Sequence, residues 1–492
     1  MSSSRLSIVR LIIVLTILLS LMGMSCSQKC AIVPGRREIP DYNKLTYPAL
    51  GDIRIPDVKR VKLDNGMQLF LLEDHELPLI NLSAMIRTGS IYDPSEKVGL
   101  ASITGEVMRT GGTTNMTGDE IDEQLEQIAA SVETDIGLNY GSASMSVLKQ
   151  DLDKGLSIIA DVLMNPVFRE DKIDLAKISR QSSIARRNDN PAILSWREYV
   201  KLIYGTESVY ARHTEYATID AISRDDLVAF HKKFYRPNNV ILAVWGDFET
   251  NQMTTKIIEA FNSWQAAEMI LPPLPEVEYE FRSTVNLIVK PDINQSVIRL
   301  GHIGGLVNDP DYFALMVMNN ILGGSFTSRL FKNVRSRQGL AYSVGGFYDA
   351  NYDYPGAFYL SCQTKLKSTV HAIQAIIEEV RKMTQEEVTN EELALAKDSF
   401  LNSFVFNFES KGEIIERLMT YEYFGYPADF LQKIKQNVEK VSKQDVLRVA
   451  QKHLNPDKVQ ILVVGRPDDF DQPLSVLGPV NEIDIIIPMP KN

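Results

Sequence analysis

Cysteine and histidine are scarce in this chain of 492 residues. The three cysteines are Cys26, Cys30 and Cys362, with no Cys-x-x-Cys pair, and no two of the six histidines lie within five residues of each other. A cysteine-rich zinc site or a disulfide scaffold needs closely spaced thiols, so both are excluded. A histidine site assembled from distant segments stays open at this stage. Cys362 stands in the alternating stretch GAFYLSCQTK, where we expect a buried side chain.

Long basic runs are also absent. The 52 Lys and Arg residues are outnumbered by 63 Asp and Glu residues, which gives a net charge of −11. Phosphate binding needs a basic surface, so nucleic acid is excluded as a partner, whereas basic peptides are compatible with this charge. At roughly 100–200 residues per domain, the length predicts two domains.

The first residues read as an export signal. Arg5 and Arg10 precede an apolar run over residues 11–24, which is short for a membrane span. We predict an export signal over residues 1–25 and a tether over 26–55; the alternative is an uncleaved anchor helix. The stretch LMGMSC resembles a bacterial lipoprotein processing site, which implies lipidation of Cys26 and a place in the periplasm or cell envelope. Plain secretion, with Cys26 and Cys30 free or bridged, is the other interpretation.

The rest of the chain repeats one theme. NNVILAVWG in the first half is mirrored by KVQILVVG near the end, and a helical stretch precedes each, SRDDLVAFHKKFYRPNN and SKQDVLRVAQKHLNPDK. We therefore predict two copies of one α+β module, each a mainly antiparallel sheet with helices packed on one face. The boundaries are an N-terminal module at 56–264, a Pro-containing linker at 265–283, a C-terminal module at 284–470 and a tail at 471–492.

Several segments carry a family resemblance in the same order along the chain. They are GLASITGE, RNDNPAILSWREYVKLIYG, FYRPNNVILAVWGDF and LGGSFTSRLFKNVRSRQGLAYSV. Over about residues 56–466 the chain resembles the pitrilysin/insulinase family of zinc peptidases, the inverzincins. The resemblance implies half of a clamshell, which closes on a peptide when two halves meet.

The zinc motif of that family is degenerate here. The enzymes carry GLAHLLEH, in which two histidines on one helical face bind zinc and the glutamate activates a metal-bound water. Ser102 takes the first histidine position, Gly105 the glutamate position and Glu106 the second histidine position. The third ligand position falls near Ser183, in a stretch over 175–188 without any acid. The sequence thus predicts no catalytic residue and no metal bound by this chain.

A second feature of the family is retained. The resemblance implies that Arg335 and Tyr342, seven residues apart in RSRQGLAY, reach a substrate at the zinc. A guanidinium and a phenol can hold a peptide carbonyl, or the oxyanion that replaces it as water adds. The alternative is that Arg335 is a solvated helix residue and Tyr342 a half-buried strand residue.

Loss of one set and retention of the other predicts a division of labour. We expect a non-catalytic, substrate-binding subunit of a two-chain zinc peptidase, with zinc in a partner subunit of the same family and a peptide as substrate. The alternatives are a binding or assembly scaffold with the same fold, and an active metallopeptidase with an unrecognised site.

Overall fold

A computed structural model of the chain describes residues 56–405, 410–427 and 429–488. The predicted export signal and tether, including Cys26 and Cys30, lie outside these residues. Within the described ranges, no helix combines the length and apolar character that crossing a membrane requires.

The strands of the described residues fall into two large sheets and one short pair. Their bounds are β1 Lys59–Lys62, β2 Gln68–Glu73, β3 Leu79–Ile86, β4 Ser131–Ile136, β5 Gly141–Leu148, β6 Val240–Gly246, β7 Thr284–Val289, β8 Gln295–Ile303, β9 Gly305–Leu306, β10 Ala341–Tyr348, β11 Ala350–Asn351, β12 Ala357–Lys365, β13 Gln460–Gly465 and β14 Val480–Glu482.

Both large sheets follow one strand order. The first runs β1-β2-β6-β3-β5-β4, and the second, taken from its other edge, runs β14-β7-β13-β8-β12-β10. Most neighbours are antiparallel; the β2–β6 pair of the first sheet and the equivalent β7–β13 pair of the second are parallel, and the edge pair β7–β14 is parallel as well. The predicted α+β fold with two related modules is confirmed.

The helices of the described residues connect these strands. Their bounds are α1 Leu100–Thr110, α2 Gly118–Gln127, α3 Leu152–Met164, α4 Glu170–Ala185, α5 Pro191–Tyr204, α6 Tyr216–Asp220, α7 Arg224–Phe234, α8 Thr250–Ala260, α9 Tyr312–Leu322, a π-helix Leu330–Arg337, α10 Thr369–Gln385, α11 Asn390–Val405, α12 Lys411–Phe424, α13 Phe430–Lys440 and α14 Lys443–His453.

The central strands of the first sheet are apolar on both faces. In β2, Leu69 and Leu71 point to the face covered by the module's own helices, while Phe70 and Leu72 point to the opposite face. Since successive strand residues alternate between faces, an uninterrupted apolar run such as LFLL requires cover on both sides. The helix layer expected on one face is present, and the second face is covered by a different element.

That second cover comes from the other module. Helix α12, which belongs to the C-terminal half of the chain, packs Ile415 and Met419 against the outer face of the first sheet. It comes so close that a Cβ added at Gly412 would lie 2.9 Å from the Nε1 atom of Trp245 on β6. The C-terminal half therefore completes the core of the N-terminal module.

The exchange is reciprocal, because α5 of the N-terminal half packs on the outer face of the second sheet. Leu194 and Tyr199 are buried there against Leu462 and its neighbours on β8 and β13. The Tyr199 hydroxyl donates to the main-chain carbonyl of Phe358, at 3.2 Å. Helices were predicted on one face of each sheet only; this exchange adds the second layer.

Two connecting segments complete the architecture. Residues 265–283, predicted as the linker, form neither helix nor strand. In the segment predicted as a tail, β14 pairs with β7 and occupies the edge position that β1 holds in the first sheet. The second sheet thus extends beyond residue 470.

Candidate functional site

The three positions that correspond to zinc ligands lie on α1 and α4, which pack together. Ser102 on α1 donates its hydroxyl to the carbonyl of Gly99, at 3.1 Å, and Ser183 on α4 donates to the carbonyl of Ser179, at 3.0 Å. Both hydroxyls are thus engaged with the helix that carries them. Glu106 offers the one carboxylate of the set.

Arg180 neutralises that carboxylate. Its guanidinium, one turn before Ser183 on α4, donates to Oε2 of Glu106 at 2.8 Å. A catalytic zinc needs three protein ligands, and this place offers a single carboxylate. The permanent positive charge of Arg180 beside that carboxylate also repels a metal cation. The residues at this place do not fit zinc. The absence of acids over residues 175–188 was predicted from the sequence, but the role of Arg180 was not, although the arginine stands in the stretch LAKISRQSS.

Gly105, at the position of the catalytic glutamate, is a packing residue. It is buried, and a Cβ added to it would lie 2.6 Å from the main-chain nitrogen of Ile136 on β4. The Thr134 hydroxyl donates to the Gly105 carbonyl at 2.6 Å, which fixes the strand against the helix. A glutamate side chain has no room at this contact.

One group of three metal-type ligands is found elsewhere among the described residues, namely Asp309, Asp311 and His453. The Asp311 carboxylate accepts hydrogen bonds from Arg448 at 2.6 Å, Lys452 at 2.7 Å and His453 at 2.9 Å. Burial opposes its ionisation, but these hydrogen bonds outweigh burial and hold the pKa of Asp311 well below its usual range. With two permanent cations in contact, the group is an ion-pair cluster and does not suit a metal.

Arg335 and Tyr342 are brought together as the sequence predicts, but through the main chain. Arg335 lies in the last turn of the π-helix, and its Nε donates to the main-chain carbonyl of Tyr342 on β10, at 2.9 Å. Its guanidinium lies 4.6 Å from the ring centroid of Phe331, within cation–π distance. No carboxylate of the described residues pairs with Arg335, so its remaining N–H groups are available to a ligand. π-Helices are rare and often mark functional sites.

Both residues line a groove of about 860 Å³. The Tyr342 side chain is 71% exposed, and Phe326, 81% exposed, and Phe347 stand in the same wall. Contiguous exposed aromatic surface of this kind is typical of binding sites. The half-buried Tyr342 of the alternative interpretation is wrong, because the ring projects into the groove.

The groove runs along β10, which is the edge strand of its sheet. On the outer edge, the Tyr342 carbonyl is bound by Arg335, and the Gly346 N–H donates to the carbonyl of Gly323, at 3.0 Å. The register of β10 shifts at Tyr342 and is regular from Ser343 onwards, so by the two-residue period of a strand the N–H and C=O of Val344 face the same edge as those of Gly346. Edge groups of this kind can pair with an extended chain.

Asn320, near the end of α9, adds an acceptor to the groove wall. Its Oδ1 atom is shielded from solvent and has no hydrogen-bond partner among the described residues. An unpaired buried acceptor is costly, and a ligand N–H would satisfy it once the groove wall shifts to expose the atom. The sequence offered no indication of this role, because it depends on the groove that α9 and β10 form together.

Two family models match the chain. The model described as Insulinase (Peptidase family M16) covers residues 70–201, and that described as Peptidase M16 inactive domain covers residues 221–400. Together they span more than half of the sequence; the second begins within the N-terminal module and extends into the C-terminal one.

The match to this chain covers most of the length of its relatives. An uncharacterized zinc protease of Rickettsia felis is 25% identical, covering 80% of this chain and 93% of the relative. A non-peptidase homolog, YmxG, of Helicobacter pylori is 23% identical, covering 80% and 90%. The crystal structure of a peptidase M16 inactive domain from Pseudomonas fluorescens shares the fold, with a TM-score of 0.76, 24% identity and coverage of 83% of this chain and 98% of that one. The chain is a half-size member of the M16, or insulinase/pitrilysin, family in which the zinc motif is degenerate.

Proposed function

We propose that this M16-family chain is the non-catalytic, substrate-binding subunit of a two-chain zinc peptidase that acts on peptides. The observation that carries the proposal is the groove beside β10, where Arg335 and Tyr342 stand exposed and without an internal carboxylate partner. The place of the zinc motif, by contrast, is filled by internal hydrogen bonds and an ion pair.

The groove suits an extended peptide. Val344 offers one main-chain N–H and one C=O, Asn320 offers an acceptor, and the aromatic wall takes an apolar side chain. The free N–H groups of Arg335 and the Tyr342 hydroxyl can donate to a peptide carbonyl or to the oxyanion that forms from it. In this proposal the chain binds and polarises the substrate.

Zinc and the general base would come from a partner subunit of the same family. The two modules form half of a clamshell, and such a half needs a second one to enclose a peptide. This chain would therefore be inactive alone and active only in the complex.

The test compares activity with and without a zinc-bearing M16 partner from the same organism. We expect unfolded peptides to be cleaved only when both chains are present, and Arg335→Ala together with Tyr342→Phe to lower kcat/KM at least tenfold, since a charged hydrogen bond contributes about 1.5–3 kcal/mol. Arg337→Ala is the matched control, because Arg337 lies on the same π-helix but bonds Asn333.

Two results would contradict the proposal. Full activity from this chain alone would make it an enzyme with a separate site. Activity of the complex that is insensitive to the Arg335 and Tyr342 substitutions would favour the scaffold interpretation, in which the chain assembles the complex without touching the substrate.

Export and anchoring belong to the same proposal. Residues 1–25 would direct the chain to the periplasm or cell envelope, and lipidation of Cys26 would tether it to the membrane. Mass spectrometry of the mature N-terminus checks this: a diacylated Cys26, absent in Cys26→Ala, is expected, and an unmodified N-terminus would show plain secretion.

A further inference from the structure

A second cavity, of about 510 Å³, lies where the two halves of the chain meet. Its walls are the outer face of β3 and β5, helix α12 and the segment that follows β11. No residue lines both this cavity and the groove beside β10. The size is within the range of small-molecule or side-chain pockets.

The cavity contains one charged side chain, Glu416 of α12. The described residues that line it include no Lys, Arg or His, and no ion pair joins Glu416 to a described cation. The surrounding protein raises the pKa of the Glu416 carboxyl through desolvation, with a smaller contribution from Glu413, while the Ser83 hydroxyl acts in the opposite direction. A solvent-accessible carboxylate that lacks a counter-ion in such surroundings favours a cation from outside.

Aromatic rings form much of the rest of the wall. Tyr140, Tyr352, Tyr354 and Phe424 all line the cavity. Tyr352 stacks on Phe424 with centroids 4.6 Å apart, and Tyr354 stacks on Tyr210 at 4.3 Å, so these rings are held in place. The faces of such rings attract organic cations, and cages of this composition recognise ammonium groups.

The rim of the cavity is fixed by contacts between the two halves. The side-chain amide of Asn139, in the β4–β5 turn, donates to both carboxylate oxygens of Asp353 at 3.1 Å. The main-chain carbonyl of Asn139 accepts from the Tyr423 hydroxyl at 2.7 Å. Arg87, a cation close to this rim, donates to the Tyr423 carbonyl and lies over the Tyr423 ring. Arg87 is thereby held outside the cavity.

We propose that this cavity is a binding site for an organic cation, an alkylammonium or guanidinium group, held by Glu416 and the surrounding rings. The cation can be a free amine or the Lys or Arg side chain of a peptide, since the two share the same charged group. A hard metal ion is not the ligand, because a single carboxylate supplies too few oxygen ligands and aromatic faces do not replace them. The acidic balance of the whole chain, −11, attracts either source.

The test measures binding to the full chain by isothermal titration calorimetry with matched probes. N-acetyl-lysine methylamide and N-acetyl-arginine methylamide represent a peptide side chain, n-butylammonium represents a free amine, and N-acetyl-norleucine methylamide is the neutral control. We expect the cationic probes to bind at least tenfold more tightly than the norleucine probe. Glu416→Gln removes the charge with little change of shape and should weaken the cationic probes at least tenfold.

Matched variants separate the site from a general charge effect. Glu413→Gln makes the same change one turn earlier on α12, outside the cavity, and should leave binding within about twofold. Tyr352→Leu should weaken binding about threefold through loss of a cation–π contact. Arg335→Ala should have no effect, because the groove is separate, so failure of peptide binding there and failure here are distinguishable.

Four binding results support or overturn an organic-cation site. Equal binding of n-butylammonium and the lysine probe assigns the site to free amines, and a preference for the amide-flanked probes assigns it to peptide side chains; both support an organic-cation site. Equal binding of the norleucine probe, or equal losses in Glu416→Gln and Glu413→Gln, would overturn it.

Discussion

Strands β4 and β10 hold the same edge position in their sheets, yet their surroundings differ. A glycine of the preceding helical region approaches each strand closely: a Cβ at Gly105 would lie 2.6 Å from the nitrogen of Ile136, and one at Gly323 would lie 2.3 Å from the nitrogen of Gly346. Beside β4, the charged groups of Glu106 and Arg180 are paired with each other. Beside β10, Arg335 has no carboxylate partner among the described residues and borders an open groove.

The two edge regions differ in the number of polar groups left free for a ligand. In the N-terminal module the hydrogen bonds and charges at the position of the family's zinc motif are satisfied within the protein, so a ligand gains little there. In the C-terminal module the Arg335 guanidinium, the Val344 main chain and the Asn320 amide oxygen still have unused capacity. Of the two equivalent modules, the first thus has an edge region whose polar groups are satisfied internally, and the second has an edge region with polar groups left for a ligand.

The largest effect is expected from Gly105→Glu, which returns the family's general base. The side chain meets the main chain of β4 and carries a charge into a buried contact, so we expect the free energy of unfolding to fall by about 4 kcal/mol. Urea unfolding followed by circular dichroism measures it. Ser102→His, on the half-buried side of α1, is the control and should change stability by no more than about 0.5 kcal/mol. A stable Gly105→Glu protein would show that the contact between α1 and β4 can accommodate a glutamate side chain.

Two buried histidines, one in each module, are expected to respond alike to acid. Burial lowers the pKa of His231 in the first module, and of His302 in the second, to about 4. Both rings are neutral when folded and take up protons on unfolding below about pH 6.5, so stability is full above that pH and is lost as the pH falls towards 4. Each group contributes up to about 3 kcal/mol of this loss.

Urea unfolding between pH 7 and pH 4 measures that loss. His231→Gln and His302→Gln should each flatten the pH dependence by a similar amount, even though they change stability at pH 7 by different amounts. A flattening confined to one variant would mean that the two modules differ in their response to acid.

The smallest effects on stability separate the two arginines. Arg180→Ala breaks a partly exposed ion pair and should cost about 0.5–1 kcal/mol of stability, with no effect on peptide binding. Arg335→Ala should alter stability by less than about 0.5 kcal/mol but weaken peptide binding at least tenfold. Thermal unfolding and fluorescence anisotropy with a labelled unfolded peptide give the two readings. Equal binding losses in both variants would remove the contrast between the regions.

Local patterns in the sequence were sufficient for the modules and for the degenerate motif. The repeated NNVILAVWG and KVQILVVG stretches predict equivalent central strands, which are β6 and β13. The helix and strand predicted for the stretch around Arg335 and Tyr342 are present, and the family resemblance singled out this pair. These features depend on neighbours in the chain, so periodicity and spacing report them.

Long-range features could not be read in the same way. The pairing of Glu106 with Arg180 joins residues 74 positions apart, and the acceptor of Asn320 matters only because β10 borders the groove. Cover of both sheet faces was not predicted; the apolar runs in β2 and β13 are the signal for it, but their sequence does not say which helix supplies it. Such contacts depend on how α5 and α12 cross between modules.

That crossing has a consequence for dissecting the molecule. Cutting the chain in the linker 265–283 would expose an apolar sheet face in each fragment. The N-terminal fragment would also hold α5, and the C-terminal fragment α12, without the sheet on which that helix packs. Neither fragment is therefore expected to fold as an independent domain, whereas two co-expressed fragments should reassemble by complementation. Swapping a single module between relatives would likewise succeed only if the helix that crosses to the other module, α5 or α12, is exchanged together with the sheet on which it packs.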